Sequence, residues 1–532
     1  MTAATVVAGP ARPQRIAAID IGSNSIRQIL ADVWPDGRIQ IADEMKAAPR
    51  LGSGLGEHGL LDDGAIARAL EALRRMTMLA KRQRADRIEV VATSAVREAA
   101  NGEAFVAEVR RATGLRVRVL TGEEEARLAF RSALAHFDLG AGRVVVMDIG
   151  GGSLELALSS DGVVEHLASL PLGALRLTEQ FLAGRDQRKG VARLRRHVRD
   201  VIREHLPVRE WRGARLIGSG GTFTNLAGIS LARQGMTTAR SVHGTAIPHI
   251  DVERILELLS GLTPAERRGV PGLNPGRADI ILAGIAAGME VMARIEARTL
   301  QVSAYGIREG LLLEAAQVAP TVADPGEARR RSVRDFGERC HWDAPHAERV
   351  RTLALRLFDA LGARLGLPPG DRTVLADAAL LHDIGYHIGF RGHHKHSYHL
   401  ILHAELLGMS PAEQVMVANV ARYHRGKRPR KGDENLAGLT PNVRQRVRRL
   451  VALLRVADGL DRGHMGAVRD VRVRWLRRAV RVTPVPARQR SALRLEVWGA
   501  QRKSDLLAKV AGRPVEIVAP DGAVHSSESA DA

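Results

Sequence analysis

Two segments of this chain repeat one another at a constant offset of 128 residues. The first runs Ala18-Ile19-Asp20-Ile21-Gly22-Ser23-Asn24-Ser25-Ile26-Arg27, and the second is built around Asp148-Ile149-Gly150-Gly151-Gly152-Ser153-Leu154-Glu155. Asp20 falls on Asp148, Gly22 on Gly150, Ser25 on Ser153 and Ile26 on Leu154. Each copy sits between a short apolar run and an alternating one, the pattern of strand, tight turn, strand. Successive glycines leave backbone N–H groups bare and able to hold an anion. The flanking Asp148 and Glu155 oppose a phosphate there unless a divalent cation, or a water needing a base, stands between. Repeats of this length are domains, so the chain is expected to hold a duplicated α/β domain with a cleft between its halves.

Size and charge narrow the partner. A chain of 532 residues has core enough for two to four domains. The formal net charge is +20, and only eight of the 79 basic residues are lysine. Arginine favours bidentate pairing with phosphate, which points to a polyanionic substrate. Aromatic residues make up 3% of the chain, too few for a protein that stacks on single-stranded bases, so nucleic acid is disfavoured. No stretch approaches the ~20 apolar residues that span a bilayer. Residues 1–14 lack the apolar core of a signal peptide and read as a loose tail. Cys340 is alone, which excludes a disulfide framework, fits a reducing cytoplasm, and leaves Cys340 as a small buried apolar residue.

Residues 15–137 make the first half and 138–319 the second. After the first hairpin come a third strand at 38–42 and a glycine-rich loop, Arg50 to Gly56, at the edge of the site. A helix capped by Asp62 or Asp63 runs to Arg82, and strand 87–92 ends in Thr93-Ser94-Ala95-Val96-Arg97. An arginine just past a strand's C-terminal end is placed for ligand contact in an open α/β sheet. A strand at 115–120 leads into a helix from Thr121 to His136. Its Glu123, Glu124 and Glu125 all suit the helix dipole. Glu125 shares a face with Leu128 and Ala129, so it is the one expected to turn inward as a general base. In the second half, Gly218 to Thr224 repeats the strand–turn–helix theme, and Gly220, Gly221 and Thr222 stand at a further anion-binding helix N-terminus. An apolar helix to Ile295, a strand at 300–303 and a helix after Gly306 complete it, and Pro320–Pro325 reads as a linker.

From 326 to 465 the pattern is wholly helical and histidine-dense. His346 shares a face with Val350, Leu353 and Leu357, His382-Asp383 ends an apolar helix, and Asp458 shares a face with Val451 and Leu454. His346, His382, Asp383 and Asp458 make a mixed ligand set for a divalent metal. His393, His394, His396, His399, His403 and His424 read mostly as a basic surface. Residues 466–520 form a small α/β region with one helix at 504–510, and 526–532 is a polar tail.

These stretches together resemble the exopolyphosphatase / guanosine pentaphosphate phosphohydrolase family of the actin, sugar-kinase and heat-shock-chaperone superfamily. The motifs are DIGSNSIR at 20–27, ATSAVREA at 92–99, TGEEEARLAF at 121–130 and DIGGGSLEL at 148–156, then GSGGT at 218–222, PGL with RAD at 271–279 and GIREG at 306–310. LLHDIG at 380–385, HKHSYHLI at 394–401 and ARYHRG at 421–426 continue the likeness. The resemblance implies two actin-like (ribonuclease H-like) α/β domains, an all-α HD-like domain at 326–465 and a small C-terminal α/β domain. It implies Mg²⁺-dependent removal of the terminal phosphate of inorganic polyphosphate, with Glu125 as general base and Arg97 clamping the transferring phosphoryl. Asp148 and Glu155, with Asp20, would hold Mg²⁺ directly or through water. Gly22, Ser23, Asn24, Ser25 and Gly150, Gly151, Gly152, Ser153 would bind phosphate oxygens. A homodimer is the family expectation. The second divalent metal of the HD-like domain is a separate expectation, because relatives have lost parts of that ligand set.

The same motifs serve enzymes that remove the 5′ γ-phosphate of pppGpp, and they do not separate the two substrates. A non-catalytic polyphosphate or nucleotide sensor is opposed by the intact Glu125, Arg97, Asp148 and Glu155. A sugar kinase is weaker still, since no sugar pocket is legible. Basic clusters at Arg425, Lys427, Arg428, Arg430 and Lys431, or at Arg444, Arg446, Arg448 and Arg449, are candidates for a channel beyond the cleft.

Overall fold

The computed structural model describes residues 12–526 apart from 138, 140–141, 185, 207–210, 237–240, 319–324, 405, 407, 431, 489–492 and 520–523. The expected N-terminal tail before residue 12, the linker up to residue 324, Lys431 and the polar tail past Ser526 lie outside the described residues. The chain divides into two compact units, one of Met1–Arg233 and Val242–Pro325, the other of Gln234–Ser241 and Gly326–Ala532.

The first unit contains two sheets of one design. Strands β1 (Gln14–Ile21), β2 (Ile26–Val33) and β3 (Ile39–Ala47) form an antiparallel meander, while β4 (Arg87–Ala92) and β5 (Val117–Val119) add parallel to β1 on its other side. In the second sheet β6 (Arg143–Ile149), β7 (Leu154–Ser160) and β8 (Val163–Leu170) repeat the meander. There β9 (Arg215–Ser219) and β11 (Thr299–Val302) take the parallel places, with β10 (Ala246–Pro248) at the edge. The duplication inferred from eight residues thus extends to the strand order of both halves.

Both faces of the first sheet are covered, which is why β1 is buried along most of its length rather than alternating. The helix Asp63–Arg82, capped by Asp62 through the Ala65 amide at 2.8 Å, supplies Leu70, Leu73 and Met76 to one face. The other face takes Leu128 from the helix Gly122–His136 and Leu311, Leu312 and Leu313 from the helix Ile307–Ala315. The first half's core is therefore completed by chain that returns after the whole second half. Gly310 permits this return, since a Cβ there would lie 2.1 Å from the Leu128 carbonyl oxygen. The third strand is longer than the sequence pattern indicates and the strand at 115–120 shorter.

The second unit begins with helices Pro325–Arg339, Ala344–Leu361, Asp371–Leu381, His393–His403, Pro411–Arg422 and Pro441–Gly459. A four-stranded sheet follows, of β12 (Val468–Trp475), β13 (Val480–Pro486), β14 (Val515–Val518) and β15 (Val524–Ser526). One continuous core joins the two, running from Val350 and Leu454 in the helices to Val482 and Ile517 in the sheet. Two helices stand between β13 and β14, Arg494–Lys503 and Asp505–Ala511, where the sequence reading placed one. The unforeseen helix Arg494–Lys503 crosses Pro441–Gly459 at close range, for a Cβ on Gly459 would lie 2.7 Å from the Ala500 Cα.

Candidate active site

The two repeated turns close with the same hydrogen bond. The Gly22 amide donates to the Ser25 carbonyl at 3.2 Å, and the Gly150 amide to the Ser153 carbonyl at 3.0 Å. They meet across the cleft: a Cβ on Gly151 would stand 2.9 Å from the Ser23 Cβ and 3.1 Å from the Asn24 nitrogen. Gly220, at φ 91°, forms a third edge, where a Cβ would fall 2.4 Å from Asp148 Oδ1. Any side chain at these positions would fill the space that brings backbone N–H groups and Asp148 together. The resulting cleft holds about 130 Å³.

Glu125 enters this cleft from the first turn of the helix Gly122–His136. Its neighbours explain why it alone does so. Thr121 caps the helix by accepting from the Glu124 amide, and Glu124 reaches back to the Thr121 amide at 2.7 Å, so Glu124 is occupied with the capping box. Glu123 is exposed, while Glu125 is buried beside Leu128 and Ala129. Arg97 Nη1 donates to Glu125 Oε1 and, at 2.6 Å, to the Leu120 carbonyl. Burial pushes the Glu125 carboxyl up to about 8 despite Arg97, whose hydrogen bond and charge pull it down. A carboxylate so poised can take a proton from water near neutral pH.

Three arginines that the sequence reading left without a role line the cleft: Arg27, Arg277 and Arg308. Burial lowers the Arg27 and Arg277 guanidinium pKa values, Arg277 to about 10, so both remain cations at neutral pH. Arg27 stands opposite Asp20 in the β1–β2 register, the place Glu155 holds opposite Asp148 in β6–β7. The duplicate thus carries a cation in one half where the other carries an acid. That exchange was open to reading at the 128-residue offset, whereas nothing local marks Arg277 or Arg308. Glu309, also in the cleft wall, accepts from the Gly306 amide at 2.7 Å. The same three arginines continue into an adjoining chamber of about 320 Å³ that adds Glu44, Lys46, Asn225 and Asn274.

Asp20, Asp148 and Glu155 also line the cleft. Burial raises all three, Asp20 to about 6, with neighbouring carboxylates adding to the rise for Asp148 and Glu155. Asp20 Oδ1 is buried with no hydrogen-bond partner, and Glu155 Oε1 accepts from Ser169 at 3.0 Å. Such a set is short of positive charge and fits a divalent cation. Among the described residues, the groups of three protein ligand atoms within 4.8 Å of one another all lie in the second unit. A Mg²⁺ in the cleft would therefore be held by one or two of these carboxylates, with water and substrate oxygens completing its shell, as that ion commonly is.

Of the residues singled out from sequence, Gly22 to Ser25, Gly150 to Ser153, Gly220 and Gly221 are in the cleft wall. Thr222 is not: its side chain packs against helix Ile281–Arg294, where a Cβ on Gly284 would lie 2.4 Å from Thr222 Oγ1, and Thr224 lines the cleft instead. Arg97 is absent from the wall as well, its guanidinium being taken up by Glu125 and Leu120. In the second unit the four predicted ligands converge, His346 Nε2 standing 3.8 Å from Asp383 and 3.9 Å from Asp458. His393 and His424, read as surface, are 2% exposed and join them. His399 and His403 are exposed as expected.

A family model described as the Ppx/GppA phosphatase family matches residues 30–318, and one for domain III of the same phosphatases matches 328–483. The chain belongs to the Ppx/GppA phosphatase family. It is thereby a phosphoanhydride hydrolase, with the actin-like pair of mixed sheets found in Ppx/GppA structures. It is 28% identical over 419 residues to a guanosine-5′-triphosphate,3′-diphosphate pyrophosphatase of Vibrio vulnificus, covering 77% of this chain and 80% of that one. A protein of the same name from Pseudoalteromonas atlantica is 27% identical over 453 residues, with coverage of 83% and 85%. Among solved structures, an exopolyphosphatase from Cytophaga hutchinsonii is 25% identical at a TM-score of 0.54, covering 58% of this chain and 100% of its own. An exopolyphosphatase-like protein is 28% identical at 0.52, with coverage of 57% and 98%. No helix of the described residues is long and apolar enough to cross a membrane.

Proposed function

We propose that this Ppx/GppA phosphatase is an exopolyphosphatase that hydrolyses the terminal phosphoanhydride of inorganic polyphosphate and releases orthophosphate. The observation that carries this reading is the run of Arg27, Arg277 and Arg308 from the cleft into a second chamber that adds Lys46. A linear polyanion needs cations at successive phosphates, and these walls supply them. A nucleotide also needs a surface for its base, and among the described residues the only aromatic ring of Phe, Trp or Tyr lining the two chambers is Tyr305.

In this mechanism the N–H groups of the two glycine turns hold the terminal phosphoryl, and the arginines balance its charge as the bridging bond lengthens. Positioning and charge neutralisation are the larger part of phosphoryl transfer. Glu125 takes a proton from the attacking water, the new P–O bond forms, and the anhydride P–O bond breaks with the shortened chain leaving. Arg97 acts on Glu125 as a positioning residue, fixing the carboxylate and keeping its basicity moderate. Mg²⁺, held by Asp148 and Glu155 with Asp20 nearby, would supply charge neutralisation on the phosphate oxygens.

The second reading, removal of the 5′ γ-phosphate of pppGpp, is favoured by the names of the Vibrio and Pseudoalteromonas relatives. Phosphate release from long-chain polyphosphate and from pppGpp, measured at matched concentrations, separates them. The proposal expects a higher kcat/KM on polyphosphate, and a higher value on pppGpp overturns it.

A further inference from the structure

Arg277 is a buried cation common to the cleft and the second chamber, and the chain that carries it is a single 3₁₀ turn, Pro275–Arg277. So short a turn has no ladder of its own to fix a side chain, and its position is set from outside. The second half supplies part of that hold. Asn274 caps the turn by accepting from the Gly276 amide at 2.9 Å, and its own amide donates to Asn225 Oδ1 at 2.6 Å. Asn225 Nδ2 donates in turn to the carbonyl of Gly221, a residue of the cleft wall, at 2.7 Å. Past the turn, the fully buried Arg267 donates from Nη1 to the Ala278 carbonyl at 3.3 Å.

The first half reaches the same turn through Arg50. Its Nη2 donates to Asp279 Oδ2 at 2.7 Å, and Asp279, two residues beyond Arg277, acts electrostatically on the Arg277 guanidinium. Arg50 stands at φ 58°, in the left-handed region that residues with a Cβ avoid unless their surroundings require it. Those surroundings are rigid. Leu51 is buried in the first sheet's core, and the Gly52 amide donates to the Ser23 carbonyl at 2.8 Å. A Cβ on Gly52 would lie 2.8 Å from the Ser23 Cβ, so this loop rests directly on the first phosphate turn. At its other end Ser53 Oγ and the Gly54 amide donate to Glu179 Oε1 at 3.0 and 3.3 Å. Asp279 and Glu179 both belong to the second half. Residues 50–54 therefore form a bracket that lies on one half's phosphate turn and grips the other half at both ends.

We propose that Arg50 is a positioning residue for the hydrolysis, its pair with Asp279 registering Arg277 against the first phosphate turn. Arg50 is not among the residues lining either chamber, so it acts through Arg277 rather than on the substrate. The pair is half exposed, with side-chain accessibilities of 42% and 37%, and such a pair adds little to folding stability. Rate is more sensitive to position, since a displacement of about 1 Å can cost about a hundredfold. The inference rests on the reading that places Arg277 on the substrate path, and it holds for polyphosphate and pppGpp alike.

The test takes the full chain and whichever of those two substrates it hydrolyses faster, so that an error over the substrate does not enter. Arg50→Met keeps the length of the side chain without its charge, and it should lower kcat/KM by at least about tenfold while the urea unfolding midpoint stays in place. Arg50→Lys, which keeps the single charged contact, should recover most of that loss. Arg277→Ala joined to Arg50→Met should be no slower than Arg277→Ala alone, because a residue that acts through another adds nothing once the other is gone. Should Arg50→Met fold poorly, Asp279→Asn reads the same pair from the other side. Undiminished hydrolysis by the Arg50→Met chain, no recovery with lysine, or losses that multiply in the double variant overturns the assignment. Undiminished hydrolysis by Arg277→Ala overturns the placement of Arg277 and this inference together, whereas a slow Arg277→Ala beside a native-like Arg50→Met overturns this inference alone.

Discussion

The cleft of the first unit and the histidine nest of the second both gather buried carboxylates, yet they surround them differently. In the cleft, Asp20, Asp148, Glu125 and Glu155 face Arg27, Arg277, Arg308 and bare glycine amides. In the nest, Asp383 and Asp458 face Nε2 atoms of His346, His382, His393 and His424, whose Nδ1 atoms lie against carbonyl or carboxylate oxygens. Fixed positive charge and N–H donors make a place for an anion, with any cation shared between protein and ligand. Imidazoles gathered with carboxylates are the ligand types with which a protein holds a divalent cation by itself. Counting acids near one another does not separate the two kinds of site. The chemistry of their partners does.

Perturbations of each site sharpen this contrast. Among the groups that sequence reading left without a role, the largest effect is expected from Arg277→Ala, which removes a cation common to the cleft and the second chamber. Loss of one such group from a phosphoryl site costs about 10²–10³ in kcat/KM, measurable as phosphate release, and a loss under threefold would remove Arg277 from the substrate path. Next is Asp377→Ala in the second unit, where Arg329 donates to Asp377 at 2.7 Å and to Glu413 at 2.8 Å in a buried network. Leaving Arg329 with only Glu413 and the Gly408 carbonyl should destabilise that unit by about 3 kcal/mol, seen as an earlier unfolding transition in urea.

A smaller effect concerns pH. His243 is buried against His136 and Tyr305, and burial lowers its pKa from 6.5 to about 3. Below pH 6.5 the unfolded chain takes up a proton that the folded chain refuses. The first unit's stability is thus intact above that value and falls as the pH drops toward 3. At pH 5 the contribution is about 2 kcal/mol. Urea unfolding at pH 7.5 and pH 5 should show a larger acid loss for the native chain than for His243→Gln, and equal losses would contradict the assignment.

Much of this was legible beforehand where the signal is local. The hairpins, the helix Asp63–Arg82 and the inward turn of Glu125 follow from periodicity and caps carried by neighbouring residues. What escaped depends on where distant chain returns. Arg308 reaches the cleft because the helix Ile307–Ala315 comes back onto the first sheet, and Arg277 because its guanidinium lies against Gly221, where a Cβ would stand 2.0 Å from it. His393 was hidden by its company, since in the helix His393–His403 it is buried while Lys395, His399 and His403 are exposed. Thr222 looked like a phosphate ligand because Gly220 and Gly221 of its turn do line the cleft, but its own side chain is buried against Gly284.

The central claim is that Glu125 is the base for phosphoanhydride hydrolysis in the cleft. Phosphate release from long-chain polyphosphate by Glu125→Gln, with native unfolding behaviour verified, tests it most directly. General-base removal is worth about 10²–10⁴ in rate, so kcat should fall by at least about a hundredfold with KM little changed. Undiminished release would contradict the account.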